Sequence, residues 1–350
     1  MNLLRLGRLT LLALSATLLL STSQASSAGQ SGTTSPAVRE RINRVGADLF
    51  SAAPHPVEAV TELKSILALE PGSAEAHMLL GIAYGVQKKS DLMGEAVAEL
   101  RQALALNPAL GMARLSLARI YLDMARPARA RDELNLALEQ APNQPAVMSL
   151  LGEAERQLGN GGRAIELHRQ ALQADASFVQ ARYYLGLALL DSGKTADAVL
   201  ELQAVVKSGA NPAESNLALG TAYLAAGRTT DAIAALRESA RLDPSRPETH
   251  IHLARAYRAR GLLADAAREL KLATPGDQSM TGLYTNVQLD IYMEEGLVSL
   301  KQGKLEEAAA AFEKVLALDS GHAAARQQLA AVKKRMQERA RPKKSPGAPA

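Results

Sequence analysis

Residues 213–246 read AESNLALGTAYLAAGRTTDAIAALRESARLDPSR, and this stretch decides the fold. Leu219, Gly220 and Tyr223 sit at offsets that share one face of a helix. Ala226-Gly227-Arg228 then marks a turn. Ala232, Leu236 and Ser239 recur at helical spacing beyond it, and Asp243-Pro244 closes the unit. Proline lacks an amide hydrogen and disfavours helix in the residue before it, so it is a sound stop signal. The unit is therefore two helices and a turn.

It is repeated along most of the chain. A small residue returns at Ala47, Gly81, Ala118, Gly152, Gly186, Gly220, Ala254 and Gly296, in steps of 34, 37, 34, 34, 34, 34 and 42. A second series runs in register with it: Ala59, Ala96, Ala130, Ala164, Ala198, Ala232, Ala266 and Ala308. A fixed period of about 34 residues marks a solenoid of helical hairpins. The small residues have a packing reason, because two helices cross closely only where a side chain is short or absent. Further stop signals stand at Pro71, Pro108 and Pro142, and further turns at Gly159 to Gly162 and Ser192-Gly193-Lys194.

The motif Leu219-Gly220-X-X-Tyr223 with Ala232, Leu236 and Pro244 resembles the tetratricopeptide repeat. The resemblance covers Glu40 to His322 as eight units, near 40–73, 74–110, 111–144, 145–178, 179–212, 213–246, 247–288 and 289–322. It implies an all-α, right-handed superhelical solenoid of about eight helix-turn-helix repeats. Residues 323–340 are expected to form a capping helix with a polar outer face. Three departures stand out. The family's tryptophan near the start of each unit is absent, and Arg114, Met148, Arg182, Asn216, His250 and Tyr292 occupy its place. His168 replaces a large apolar residue of a second helix, and extra residues fall around Lys88 to Asp91 and near residues 276–288. The later insertion reads as a long loop or an extended first helix.

Arg5 and Arg8 ahead of the apolar run Leu9 to Leu20, with small residues up to Ala25 and Ala28, read as a secretory signal over residues 1–28. A membrane tether is the alternative, but the run is short of the roughly 20 apolar residues needed to span. Residues 29–39 read as a flexible linker and residues 341–350 as a disordered basic, Pro-rich tail. The chain has no cysteine, so neither a disulfide nor a lipidated cysteine is available. A periplasmic address fits best, with secretion or an uncleaved tether as alternatives. The net charge of +4 is uneven. Two bases in the signal and a surplus of six between Lys333 and Lys344 leave the rest four negative. An acidic repeat region argues against nucleic acid. The basic tail allows only weak contact with an anionic surface.

In the resembling family the first helix of each unit lines a concave groove. The corresponding stripe is largely apolar with a few charges, and Arg119, Glu153, Arg156, Tyr183, Leu187, Arg255 and Arg258 are its candidate partner-binding residues. Part of that stripe must be core, since adjacent first helices touch. The arginines suit carboxylates or carbonyls of a peptide. No zinc motif, phosphate loop or catalytic constellation is present, and His250 and His252 are too close in sequence to share a helix face. The expectation is a non-enzymatic scaffold without cofactor or metal. It would bind a peptide segment or partner protein in envelope assembly or secretion. The alternative is a regulatory, substrate-presenting subunit of an envelope enzyme complex.

Overall fold

The computed structural model describes residues 35–51, 53–274 and 285–340. The expected signal, most of the expected linker, the expected tail and the first part of the 276–288 insertion lie outside those residues. Among the described residues there are seventeen helices and no strand. They fall into two compact units.

The first unit, ending at Asn211, holds ten helices. These are α1 (Pro36–Leu49), α2 (Pro56–Leu69), α3 (Ala74–Val86), α4 (Leu92–Leu106) and α5 (Gly111–Asp123). Then come α6 (Pro127–Gln140), α7 (Pro145–Gln157), α8 (Gly161–Ala174), α9 (Val179–Asp191) and α10 (Thr195–Lys207). The second unit, from Pro212, holds α11 (Pro212–Ala225), α12 (Thr229–Leu242), α13 (Pro247–Ala259) and α14 (Leu263–Ala273). It continues with α15 (Thr285–Lys301), α16 (Leu305–Leu318) and α17 (Ala323–Ala340). Odd-numbered helices are the first of each hairpin. Within a unit each helix packs on the next, and the first helices of consecutive hairpins also pack on one another.

Close crossing explains the small-residue series. A Cβ added to Gly81, Gly186 or Gly220 would lie 2.5–2.7 Å from the Cγ of Leu100, Leu202 or Leu236 in the partner helix. At Gly296 it would meet the Phe312 ring at 2.5 Å. The alanines of the second series are all buried. Turns inside the hairpins close by a Schellman arrangement. In α9–α10, Gly193 takes φ 73° and the amide of Lys194 donates to the Leu189 carbonyl at 2.8 Å.

Two expectations need correction. Ala47 lies exposed, and Gly46 is the buried residue. Ile42, Val45, Gly46 and Leu49 form the inward stripe of α1, so Ala47 falls off it. Helix also begins at Pro36, inside the stretch expected to be linker, where Ser35 Oγ accepts from the Val38 amide. Part of the later insertion is helical, since α15 starts at Thr285 and runs 17 residues.

The missing tryptophans have a specific replacement. His77, Arg114, Arg182 and His250 each stand four residues before a small landmark. Each bridges a backbone carbonyl six residues back and a glutamate of the following helix. Arg114 donates to Pro108 O at 3.0 Å and Glu133 at 3.1 Å. Arg182 donates to Ala176 O and Glu201, both at 3.1 Å. His250 lies 3.0 Å from Pro244 O and 2.8 Å from Glu269, and His77 makes the same pair with Pro71 O and Glu99. Where Met148 takes the position, the residue 19 further on is Leu167 rather than glutamate. At Met148 the donor and its carboxylate are lost together.

Candidate functional site

The proposed stripe is divided between the two units. Arg119, Glu153, Arg156, Tyr183 and Leu187 lie in the first unit, and Arg255 and Arg258 in the second. In the first unit much of the stripe is sealed by neighbouring helices: Leu115, Ser149, Glu153 and Tyr183 are all buried. Gly85 shows how tight this layer is, since a Cβ there would come 2.9 Å from Ile120 of the next first helix.

The polar members are braced to one another. Arg119 on α5 donates to Tyr184 Oη on α9 at 3.1 Å and pairs with Asp123 at 3.4 Å. Arg156 on α7 donates to both oxygens of Glu153, at 2.8 and 2.9 Å, and reaches across to Asp191 on α9. Gln157 adds a third donor to Glu153 at 2.8 Å. The buried carboxylate is thus fully compensated, as a buried charge must be. Tyr183 stands edge-on to Tyr184, with ring centroids 5.5 Å apart. Leu187 and Leu190 remain half-buried. The second unit repeats the device between α13 and α15. Arg255 contacts Glu294 at 2.9 Å and Asp290 at 2.7 Å, and Arg258 contacts Glu294 at 2.9 Å.

These arginines therefore already hold carboxylates of their own chain. An incoming carboxylate would have to displace Glu153 or Glu294, both buried. Sequence reasoning found the arginines and missed Asp191, Asp290 and Glu294. No shared register signalled them: Asp191 follows Arg156 by one repeat plus one residue, whereas Arg255 to Asp290 spans the longer step of 42 between Ala254 and Gly296.

A fully buried imidazole and a half-buried one complete the electrostatics. His168 on α8 is fully buried, in the slot that Leu202 fills on α10, and its Nδ1 lies 3.5 Å from Ser149 Oγ. Its Nε2 has no hydrogen-bond partner among the described residues. Burial, with Arg156 adding a smaller push, lowers its pKa to about 3, so it is neutral. His252 is lowered to about 4 by burial and then by Arg255. Ser149 and His168 resemble half of a nucleophilic pair, but both are sealed from solvent and no third group orients the ring. Among the described residues no three metal-ligating side chains converge. An open depression of about 360 Å³ on the second-helix side, lined by Glu166, Arg169, Gln170 and Lys194, is surface relief between α8 and the start of α10.

A braced stack of helical hairpins, offering surface rather than a reaction chamber, defines the class. Family models described as tetratricopeptide repeat match residues 93–154, 149–214, 223–284 and 289–322, together more than half the chain. The chain belongs to the tetratricopeptide-repeat family. Its fold is similar to that of the APC/C hetero-tetramer Cut9-Hcn1, at 17% identity and a TM-score of 0.61, over 79% of this chain and 52% of that one. It is also similar to the human IFIT1 dimer with PPP-AAAA, at 18% identity and a TM-score of 0.60, over 80% and 72%. The chain spans about half the length of the Cut9-Hcn1 chain. No curated protein matches it in sequence. The fold supports a protein–protein interaction scaffold, and the family is typically non-catalytic. Among the described residues no helix is long and apolar enough to cross a membrane.

Proposed function

We propose that this protein is an exported, non-enzymatic scaffold that holds a segment of a partner protein on the first-helix face of α5, α7 and α9. Its setting is the cell envelope, in assembly or secretion. One observation carries the reading: the Arg119–Tyr184 and Glu153–Arg156–Asp191 braces fix that face in advance, while Leu187 and Leu190 stay half-open beside them. A rigid surface loses little entropy on binding. The five charges on this face, Arg119, Asp123, Glu153, Arg156 and Asp191, sum to −1. The favoured segment is therefore apolar with a basic residue, rather than a carboxylate terminus.

A photo-crosslinking residue at Leu187 tests this in the protein's own cells, with the same residue at Leu200 as control. Leu200 is 65% exposed on α10, away from the first-helix face. A discrete adduct from position 187 and none from 200 is expected. Equal labelling from both, or none from 187, removes this face as the site. The intact mass of the exported protein checks the address: loss of residues through Ala25 or Ala28 is expected, and a full-length chain overturns it.

A further inference from the structure

The outward face of α17 is a half-built copy of a joint that the chain completes four times elsewhere. In the four complete joints, a donor four residues before the small landmark grips the turn carbonyl six residues back. The same donor holds a glutamate of the next helix: Glu99, Glu133, Glu201 or Glu269. That glutamate is followed at once by a buried leucine: Leu100, Leu134, Leu202 or Leu270. The leucine covers the landmark, as Leu100 covers Gly81 and Leu202 covers Gly186. Read along the second helix, the covering motif is Ala-X-X-Glu-Leu, beginning at Ala96, Ala130, Ala198 and Ala266.

Helix α17 carries the first half in register. Ala330 stands 34 residues after Gly296, and Arg326 four residues before it. Arg326 donates to the Ser320 carbonyl, six residues back, at 2.6 Å. Lys333, three after the landmark, pairs with Glu313 at 3.0 Å. The corresponding residue after Ala254, Tyr257, accepts from Arg237 at 2.8 Å. Glu313 and Arg237 both lie five residues after the alanine of the second series, so two independent contacts fix the register. Arg326 and Ala330 are nonetheless exposed, and no glutamate meets Arg326 among the described residues.

No glutamate within residues 1–350 completes this joint. Residues 1–34, 275–284 and 341–350 contain no glutamate. A second copy is no better placed, because its four Ala-X-X-Glu-Leu leucines are buried in its own hairpins. We propose that the outer face of α17 is a docking socket for an amphipathic helix of a partner protein bearing Ala-X-X-Glu-Leu. Its glutamate pairs with Arg326 and its leucine lies over Ala330. The exposed bases Lys334, Arg335 and Arg339 favour an acidic partner helix. This surface is separate from the face of α5, α7 and α9, so either reading can fail alone.

The probe is a stapled, fluorescent peptide of residues 92–106, which carries Ala96-Val-Ala-Glu99-Leu100. Stapling removes the marginal helicity of a short free peptide. Anisotropy titration with the full chain is expected to show saturable binding, weakened at least tenfold by Arg326→Glu and by Ala330→Leu. A peptide with Glu99→Lys is expected to lose affinity for the wild type and regain it with Arg326→Glu. Both substituted residues are exposed, and unchanged helicity by circular dichroism confirms intact variants. Absence of saturable binding overturns the socket. Binding that both variants leave untouched also overturns it, because the peptide then sits elsewhere.

Discussion

The α9–α10 and α7–α8 hairpins are neighbours in one unit and fill the same template differently. In α9–α10 a glycine crosses a leucine, Gly186 over Leu202, and the Arg182–Glu201 pair locks the turn. In α7–α8 the glycine crosses an imidazole, where a Cβ on Gly152 would lie 2.7 Å from the His168 ring, and the ion pair is replaced by Met148 and Leu167. Backbone geometry is preserved in both, including a left-handed glycine at the turn, Gly193 or Gly159. The crossing thus demands a residue without a side chain on one helix and a bulky one on the other, and it tolerates a polar ring if the ring stays neutral.

The sharpest way to break the likeness is at the shared glycine. Gly186→Leu forces a side chain into a space where even a Cβ would lie 2.7 Å from Leu202. Overpacking of this kind costs about 3 kcal/mol. Chemical denaturation is expected to show that loss, with reduced protection of α9 and α10 amides. A midpoint equal to wild type would mean the crossing is not as close as described.

His168→Leu should erase the difference from the other side. It removes a buried Nε2 that has no partner among the described residues, and is expected to stabilise by about 1–2 kcal/mol at neutral pH. The acid dependence is the stronger test. The folded-state pKa of His168 is lowered to about 3 from an ordinary value of 6.5. Between those values the unfolded chain takes a proton that the folded chain refuses, so stability falls as pH drops below 6.5. At pH 5 that loss is about 2 kcal/mol from this residue. His250, raised by its hydrogen bond to Glu269, works in the opposite sense in the other unit, so the variant must be compared with wild type at each pH. A leucine variant with the same acid slope as wild type would show that His168 is not a buried neutral base.

How far the sequence could be read follows from the same template. Small residues at a fixed step announce helix crossings because nothing else fits there, so hairpins, turns and the slot of His168 were all legible. The donor–glutamate clamp was not. Arg114, Arg182 and His250 stood out as replacements for tryptophan, but their role appears only when the residue 19 further on is read with them. The site was less legible still. Burial of Glu153 and Tyr183 depends on how closely consecutive first helices stack, which no single repeat encodes. Arg156 and Arg255 looked free because their carboxylates, Asp191 and Asp290, lie a repeat away.

The clamp makes its own comparison. Glu133→Leu leaves Arg114, only 11% exposed, without its carboxylate, and is expected to cost about 1–2 kcal/mol. Adding Arg114→Met copies the Met148 and Leu167 pattern of α7–α8 and should recover most of the loss. A double-mutant cycle with a coupling below about 0.5 kcal/mol would reduce the clamp to coincidence.

The smallest effect concerns the turn of α5–α6, where the template is followed with the wrong residue. Ala125 takes φ 53°, the left-handed conformation that glycine supplies in the turns of α7–α8 and α9–α10. The amide of Arg126 still donates to the Tyr121 carbonyl at 2.8 Å, so the Schellman bond persists despite the Cβ. An L-residue there carries strain of about 1 kcal/mol, whereas glycine fits freely but has more unfolded freedom to lose. The two terms oppose, and the strain is the larger where the bond is already closed. Ala125→Gly is therefore expected to stabilise the first unit by about 0.5 kcal/mol, read as a small rise in denaturation midpoint at unchanged slope. A lowered midpoint would mean that the chain's entropy outweighs the strain, and that the hairpin template asks of this position only a closed turn rather than a glycine.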